Sequence, residues 1–220
     1  MESYGYNHSK TRLGSTRQTS QEVIHKARSL IEEFQLAHLT QPRLKEHADA
    51  RWVPPLHPWY KVNSNAVVFS NLKNVRIGVI IHDHEGSVIA ALSKHLPLPL
   101  GPLEVEAKAM DEAVLFAWHV GIREAVFETD LSVVSDALAS STTPLPLVSM
   151  VDIIAGTLYR LQDFKHTQLQ HVRRQANKPA HALAQHAKGI TDFVTWIEES
   201  PPFIESFVFQ DAMNFSSSHY

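Results

Sequence analysis

Residues 61–69 read KVNSNAVVF. Alternation and β-branched valines give this run the pattern of a strand. Two amides stand in it, Asn63 and Asn65, and side chains two apart on a strand share a face. An amide on a packed face must find partners or a task.

Outward from this run, two more strand-like stretches follow, VRIGVIIHD at 75–83 and SVIAALSKH at 87–95. The HDHEG between them, with Asp83 and Gly86, suits a tight hairpin turn. Three strands joined by short connections predict an antiparallel meander. After LPLPLGP a helix is predicted over 103–120, ended by Gly121. A short strand, REAVFET, ends at Asp130, and a helical stretch LSVVSDALAS comes next. The linker STTPLP separates it from a third helix, LVSMVDIIAGTLYRLQDF. The strand HTQLQHV then leads into RRQANKPAHALAQHAKG, basic at first and helical afterwards. The order βββαβααβα predicts an α/β sandwich with a mixed five-stranded sheet.

Segments flank this core. Residues 1–18 are polar and without periodicity. Thr19 and Glu22 form a capping box, and Val23, Ala27, Leu30, Ile31 and Phe34 make an apolar stripe, so a helix over 20–37 is predicted. Pro42, Pro54, Pro55 and Pro58 make 40–58 a linker. The division reads as 1–51 for an N-terminal segment, 52–190 for the domain and 191–220 for a tail. The apolar stretches 20–37 and 203–215, the latter FIESFVFQDAMNF, either fold back on the domain or meet a protein partner.

The totals narrow the chemistry. At 220 residues and 44% hydrophobic, the chain can bury one good core. A formal net charge of −3 leaves polynucleotide binding to a local basic patch. With no cysteine, thiolate metal sites, disulfides and thiol nucleophiles are excluded. The 14 histidines are scattered. No apolar run approaches the roughly 20 residues of a membrane span, and MESYGYNHSK lacks a signal-peptide core. The chain reads as soluble and intracellular, with no membrane role.

Three groups could carry chemistry. Glu106 shares a helical face with Ala109, Met110, Ala113 and Ala117, the stripe that faces the sheet. A carboxylate there is costly unless paired or metal-bound, or else it sits at the rim of the first turn, where the helix dipole favours it. Periodicity does not choose between these. Glu104, Lys108, Asp111 and Glu112 point largely elsewhere and are expected to be solvated. Asp130 stands where a strand gives way to a helix, a common place for site residues, although spacing alone favours a helix cap. His171, Asn177 and His181 make H-x5-N-x3-H, with Arg173 and Arg174 inside and Lys178 beside it. Such a loop could hold phosphates. Taken alone, it reads as a solvated basic loop before an amphipathic helix.

Together and in this order, these groups resemble the ribonuclease H type 1 superfamily, specifically its plant reverse-transcriptase-like branch descended from retroelements. The resemblance rests on WVPP and K-V-N-x-N within 52–65, IGVIIHDHEGSVIAA at 77–91 and LEVEAKAMDEAVLFAWHVG at 103–121. It continues through ETD at 128–130 and HVRRQAN-x3-HALA at 171–184. It implies cleavage of the RNA strand of an RNA–DNA hybrid by two Mg²⁺ (or Mn²⁺) ions held on four carboxylates, since two hard cations need several anionic oxygens. Carried over, the ligand positions are Asn65, Glu106, Asp130 and His181. By the same carry-over, the family's loop histidine, which assists product departure, falls at His171. Arg173, Arg174, Asn177 and Lys178 would meet nucleic acid.

Two of the four ligand positions depart from the family pattern. Asn65 and His181 stand where it has aspartates. The first matters more, because the family's aspartate there bridges both ions and an amide lacks its charge. The expectation is weakened metal binding and weak or lost cleavage. Three functions stay open: an active hybrid nuclease, a nucleic-acid binder that does not cut, and a non-catalytic protein-interaction domain.

Overall fold

The computed structural model describes residues 52–69, 74–130, 132–139 and 148–216. The helix expected over 20–37 and the STTPLP linker lie outside these residues. Within them, β1 (Tyr60–Phe69), β2 (Asn74–His82) and β3 (Val88–Leu96) form the expected meander. At the β2–β3 turn, Asp83 Oδ1 accepts the N–H groups of Glu85 and Ser87, each at 2.9 Å. Gly86 takes φ +82° there, a conformation glycine adopts without strain.

Helix α1 (Pro102–His119) carries the chain across the sheet. It begins with Pro102 at its first turn and Glu104 turned back onto the Gly101 N–H at 2.6 Å. It stops before Gly121, at φ +89°. β4 (Glu124–Thr129) then pairs parallel with β1, and β5 (His166–His171) pairs parallel with β4. Between them run α2 (Ser132–Ala139) and α3 (Val148–Leu161). Helix α4 (Lys178–His186) covers the other face of the sheet.

The sheet has six strands, in the order β5-β4-β1-β2-β3-β6, rather than the five expected. The sixth, β6 (Phe193–Ile197), lies in the stretch read as a tail and pairs antiparallel with β3. Its five residues are too few for periodicity to mark. Beyond it, α5 (Glu205–Ser216) is anchored by Ile204, fully buried against Ile80, Ala91, Ala180 and Leu183. Phe203 stacks on His186 of α4, with ring centroids 4.5 Å apart.

The main core lies between the sheet and α1, with α3 packed outside α1. That sandwiching corrects one expectation: Asp111 and Glu112 are buried, at 4% and 5% exposure. Glu112 pairs with Lys94 of β3 at 2.7 Å and with Lys108 at 3.0 Å. Asp111 pairs with Lys108 and with Arg160 of α3. A helix covered on two sides has no wholly solvated face, and buried carboxylates persist there because each is paired.

On the opposite face, α4 sits directly on Gly78. A Cβ at this position would lie 2.1 Å from the Ala180 carbonyl oxygen and 2.4 Å from the Ala184 nitrogen. Gly78 pairs with Asn65 across β1 and β2. The missing side chain therefore sets how closely α4, and His181 with it, approaches Asn65.

Candidate functional site

β1 and β4 run side by side, and their polar residues meet in two successive layers. In the first, Asn63 Nδ2 donates to Glu128 Oε2 at 2.8 Å, and Lys61 Nζ lies 2.8 Å from Glu128 Oε1. The Asn63 side-chain Oδ1 accepts the Trp52 indole N–H at 3.2 Å. Lys61 also donates to the Val53 carbonyl at 2.6 Å. The layer is closed by the WVPP segment.

The second layer repeats this wiring two residues further on. Asn65 Nδ2 donates to Asp130 Oδ1 at 3.1 Å, and Arg174 Nε donates to Asp130 Oδ2 at 3.1 Å. His181 Nδ1 lies 3.1 Å from Asn65 Oδ1. The amide already gives its N–H to Asp130, so His181 carries the proton on Nδ1 and donates to the carbonyl. In each layer an amide bridges a ring N–H to a carboxylate, and a cation takes the second carboxylate oxygen. The layers differ in exposure: the Lys61 side chain is 10% exposed, that of Arg174 80%.

Glu106 reaches the second layer from α1. It is bonded to the Ala66 backbone, and its Oε2 is buried without a partner among the described residues. Burial, then the nearby Asp130 charge, push its carboxyl up to about 8 against the opposing pull of Arg174 and the Ala66 bond. His171 stands exposed at the rim, its Nε2 3.3 Å from the Asp130 carbonyl oxygen. Arg173 and Lys178 are exposed beside it.

Asn177 departs from its expected place at the nucleic-acid surface. It is fully buried and donates to the Ser64 carbonyl at 2.9 Å. Through that bond it ties the basic loop and the start of α4 to β1, while its Oδ1 is buried without a partner among the described residues. Sequence reasoning also missed the pairing of Arg174 with Asp130. The only available signal was a cation in the loop that returns over the end of β4.

These residues do not fit a pair of hard divalent cations. Such ions require several free anionic oxygens. Here both oxygens of Asp130 accept hydrogen bonds, Asn65 is uncharged with its carbonyl occupied, and His181 presents an N–H to that carbonyl. Among the described residues no group of three or more His, Asp or Glu side chains is arranged to hold a metal ion.

Residues 63–187 match the family model described as reverse transcriptase-like. An Arabidopsis thaliana protein assigned as a ribonuclease H protein is 27% identical over 153 residues, which is 69% of this chain and 24% of that protein. The chain thus spans about a quarter of the relative's length. Among solved structures, ribonuclease H1 from Halobacterium salinarum aligns with TM-score 0.55 at 18% identity, covering 59% of this chain and 97% of that one. The N-terminal ribonuclease H domain of a Mycobacterium tuberculosis protein gives 0.52 at 15% identity, covering 59% and 92%. A ribonuclease H1 isolated from compost gives 0.53 at 16%, covering 58% and 94%. At these identities the likeness is one of fold.

Proposed function

This chain belongs to the reverse transcriptase-like family, and from that premise we propose that it binds nucleic acid, an RNA–DNA hybrid or RNA, while cleaving it weakly or not at all. One observation carries the reading: the Asp130 carboxylate is held on both oxygens by the protein's own Asn65 and Arg174. The family reaction, hydrolysis of the RNA strand, relies on Mg²⁺ or Mn²⁺ that this donor set is poorly made to hold. Losing one full charge beside a metal costs several kcal/mol where screening is incomplete, and about 1.4 kcal/mol is tenfold in rate. Exposed Arg173, Arg174, Lys178 and His171 keep donors for phosphate at the mouth of the site.

The test uses a labelled RNA–DNA hybrid with Mg²⁺ or Mn²⁺ and compares wild type, Asn65→Asp, and Asn65→Asp combined with Glu106→Gln. Binding without cleavage by wild type, and cleavage by the Asp variant alone, is the expected pattern. Wild-type turnover equal to that of the Asp variant would overturn the reading. A second role, docking of a protein partner, has one favouring observation: Phe193, Ile197, Phe209 and Met213 are each more than half exposed, at 55%, 53%, 66% and 54%. Pull-down of a partner that is lost when these four become polar would support that role.

A further inference from the structure

The two polar layers have the same wiring but opposite closure. In the Asn63 layer, Lys61 is spent: it meets Glu128 and the Val53 carbonyl and lies 5.6 Å from the Trp52 ring centroid. In the Asn65 layer, Arg174 holds Asp130 through Nε, and its side chain is 80% exposed. Guanidinium is a planar fork, so an Nε anchored to a carboxylate fixes the plane and leaves the terminal nitrogens free to meet a second oxyanion. Arg174 also opens the short 3₁₀ turn Arg174–Ala176, which buried Asn177 ties to β1. The arginine therefore stands on a fixed base.

We infer that Arg174, tethered to Asp130, is the resident cation of this site and receives a polynucleotide phosphate directly, so that nucleic acid is engaged without a divalent ion. This rests on the nucleic-acid reading above and adds how the phosphate is held. Asp130 acts as a positioning residue: it takes no part in contacting the phosphate and instead orients the guanidinium that does. Asn65 keeps Asp130 aligned, and His181 keeps Asn65 aligned. An aspartate at 65 would place a second anion against Asp130 and favour a divalent ion over the arginine. The amide favours the arginine.

Fluorescence anisotropy of the full chain with a labelled RNA–DNA hybrid, in EDTA and in Mg²⁺, tests this. The expected result is the same affinity in both, within twofold. Arg174→Ala should weaken binding about fivefold near physiological salt and lower the slope of log K against log salt by about 1, the share of a single phosphate contact. Arg174→Lys should keep the slope, since the charge remains, yet lose part of the affinity, since the tethered fork is gone. Binding that appears only with Mg²⁺, or an Arg174→Ala variant with wild-type affinity and slope, overturns the inference while leaving the nucleic-acid reading intact. Absence of binding under every condition overturns both. Arg174 is largely solvated, and unchanged melting of its variants confirms that the fold survives.

Discussion

Replacing His82 by phenylalanine should change how stability depends on pH. His82 is 2% exposed at the end of β2, its ring centroid 4.6 Å from that of Trp52. Its Nδ1 has no partner among the described residues. Burial, helped by the nearby Lys61 charge, lowers its pKa from 6.5 to about 3. The unfolded chain therefore takes up a proton near pH 6.5 that the folded chain refuses until near pH 3. Stability carried by the neutral ring is complete above pH 6.5 and drains away as pH falls through that window. Each unit is worth about 1.4 kcal/mol, so the loss by pH 5 is about 2 kcal/mol. Glu106 works in the opposite sense, because its raised pKa removes stability as pH climbs from 4.5 to about 8. Between about pH 4.5 and 6.5 the His82 and Glu106 slopes nearly cancel each other. Asp211, whose pKa burial raises from 3.8 to about 6, adds a further loss of stability as pH rises, so the variant comparison is what isolates His82. Urea unfolding followed by tryptophan fluorescence at pH 7.5 and 5 should show His82→Phe gaining about 2 kcal/mol on wild type at the lower pH. A wild-type-minus-variant difference that is equal at the two pH values would refute the reasoning.

Three further outcomes are expected. Glu106→Gln should stabilise the chain more at pH 8 than at pH 5, by up to roughly 3 kcal/mol, because the wild-type carboxyl must ionise in a buried place; urea titrations at both values read this. Gly78→Ala should cost about 3 kcal/mol or more, since the new methyl meets α4 backbone that cannot swing aside, and hybrid affinity should fall with it as His181 and Asn177 are displaced. A folded Gly78→Ala protein of wild-type stability would contradict the close approach of α4. Glu128→Gln leaves Lys61 buried without its anion, a loss of about 3 kcal/mol or more, measurable as a lowered urea midpoint at neutral pH.

Much of the fold is legible in the residues. The meander, the helix from Pro102 and the placing of Asn65, Glu106, Asp130 and His181 at one spot follow from alternation, turn chemistry and family resemblance. The misses have physical causes. Asp111 and Glu112 look solvated on a helical wheel because a single helix shows its own periodicity and not the neighbours on both its sides; Lys94 and Arg160, far away in the chain, make their burial possible. Asn177 reads as a surface amide, since nothing local says that the Ser64 carbonyl of β1 will come to lie beside it. Arg174 reads as one more cation in a basic loop, because its partner is 44 residues earlier and the approach is a tertiary one. β6 is brief, and its claim to be a strand comes from the open edge of β3.

That last strand bears on any attempt to study the domain by itself. The family match ends at residue 187, but β6 occupies 193–197 and pairs with β3 from Ala90 to Lys94. A fragment cut at the end of the match would leave β3 with a row of unpaired N–H and C=O groups, the template for strand addition between molecules. It would also strip Ile204 and Phe203 from α4, the helix that carries His181. Clumping or weak binding in such a fragment would report on the cut, and only a piece extending through α5 speaks for the native site.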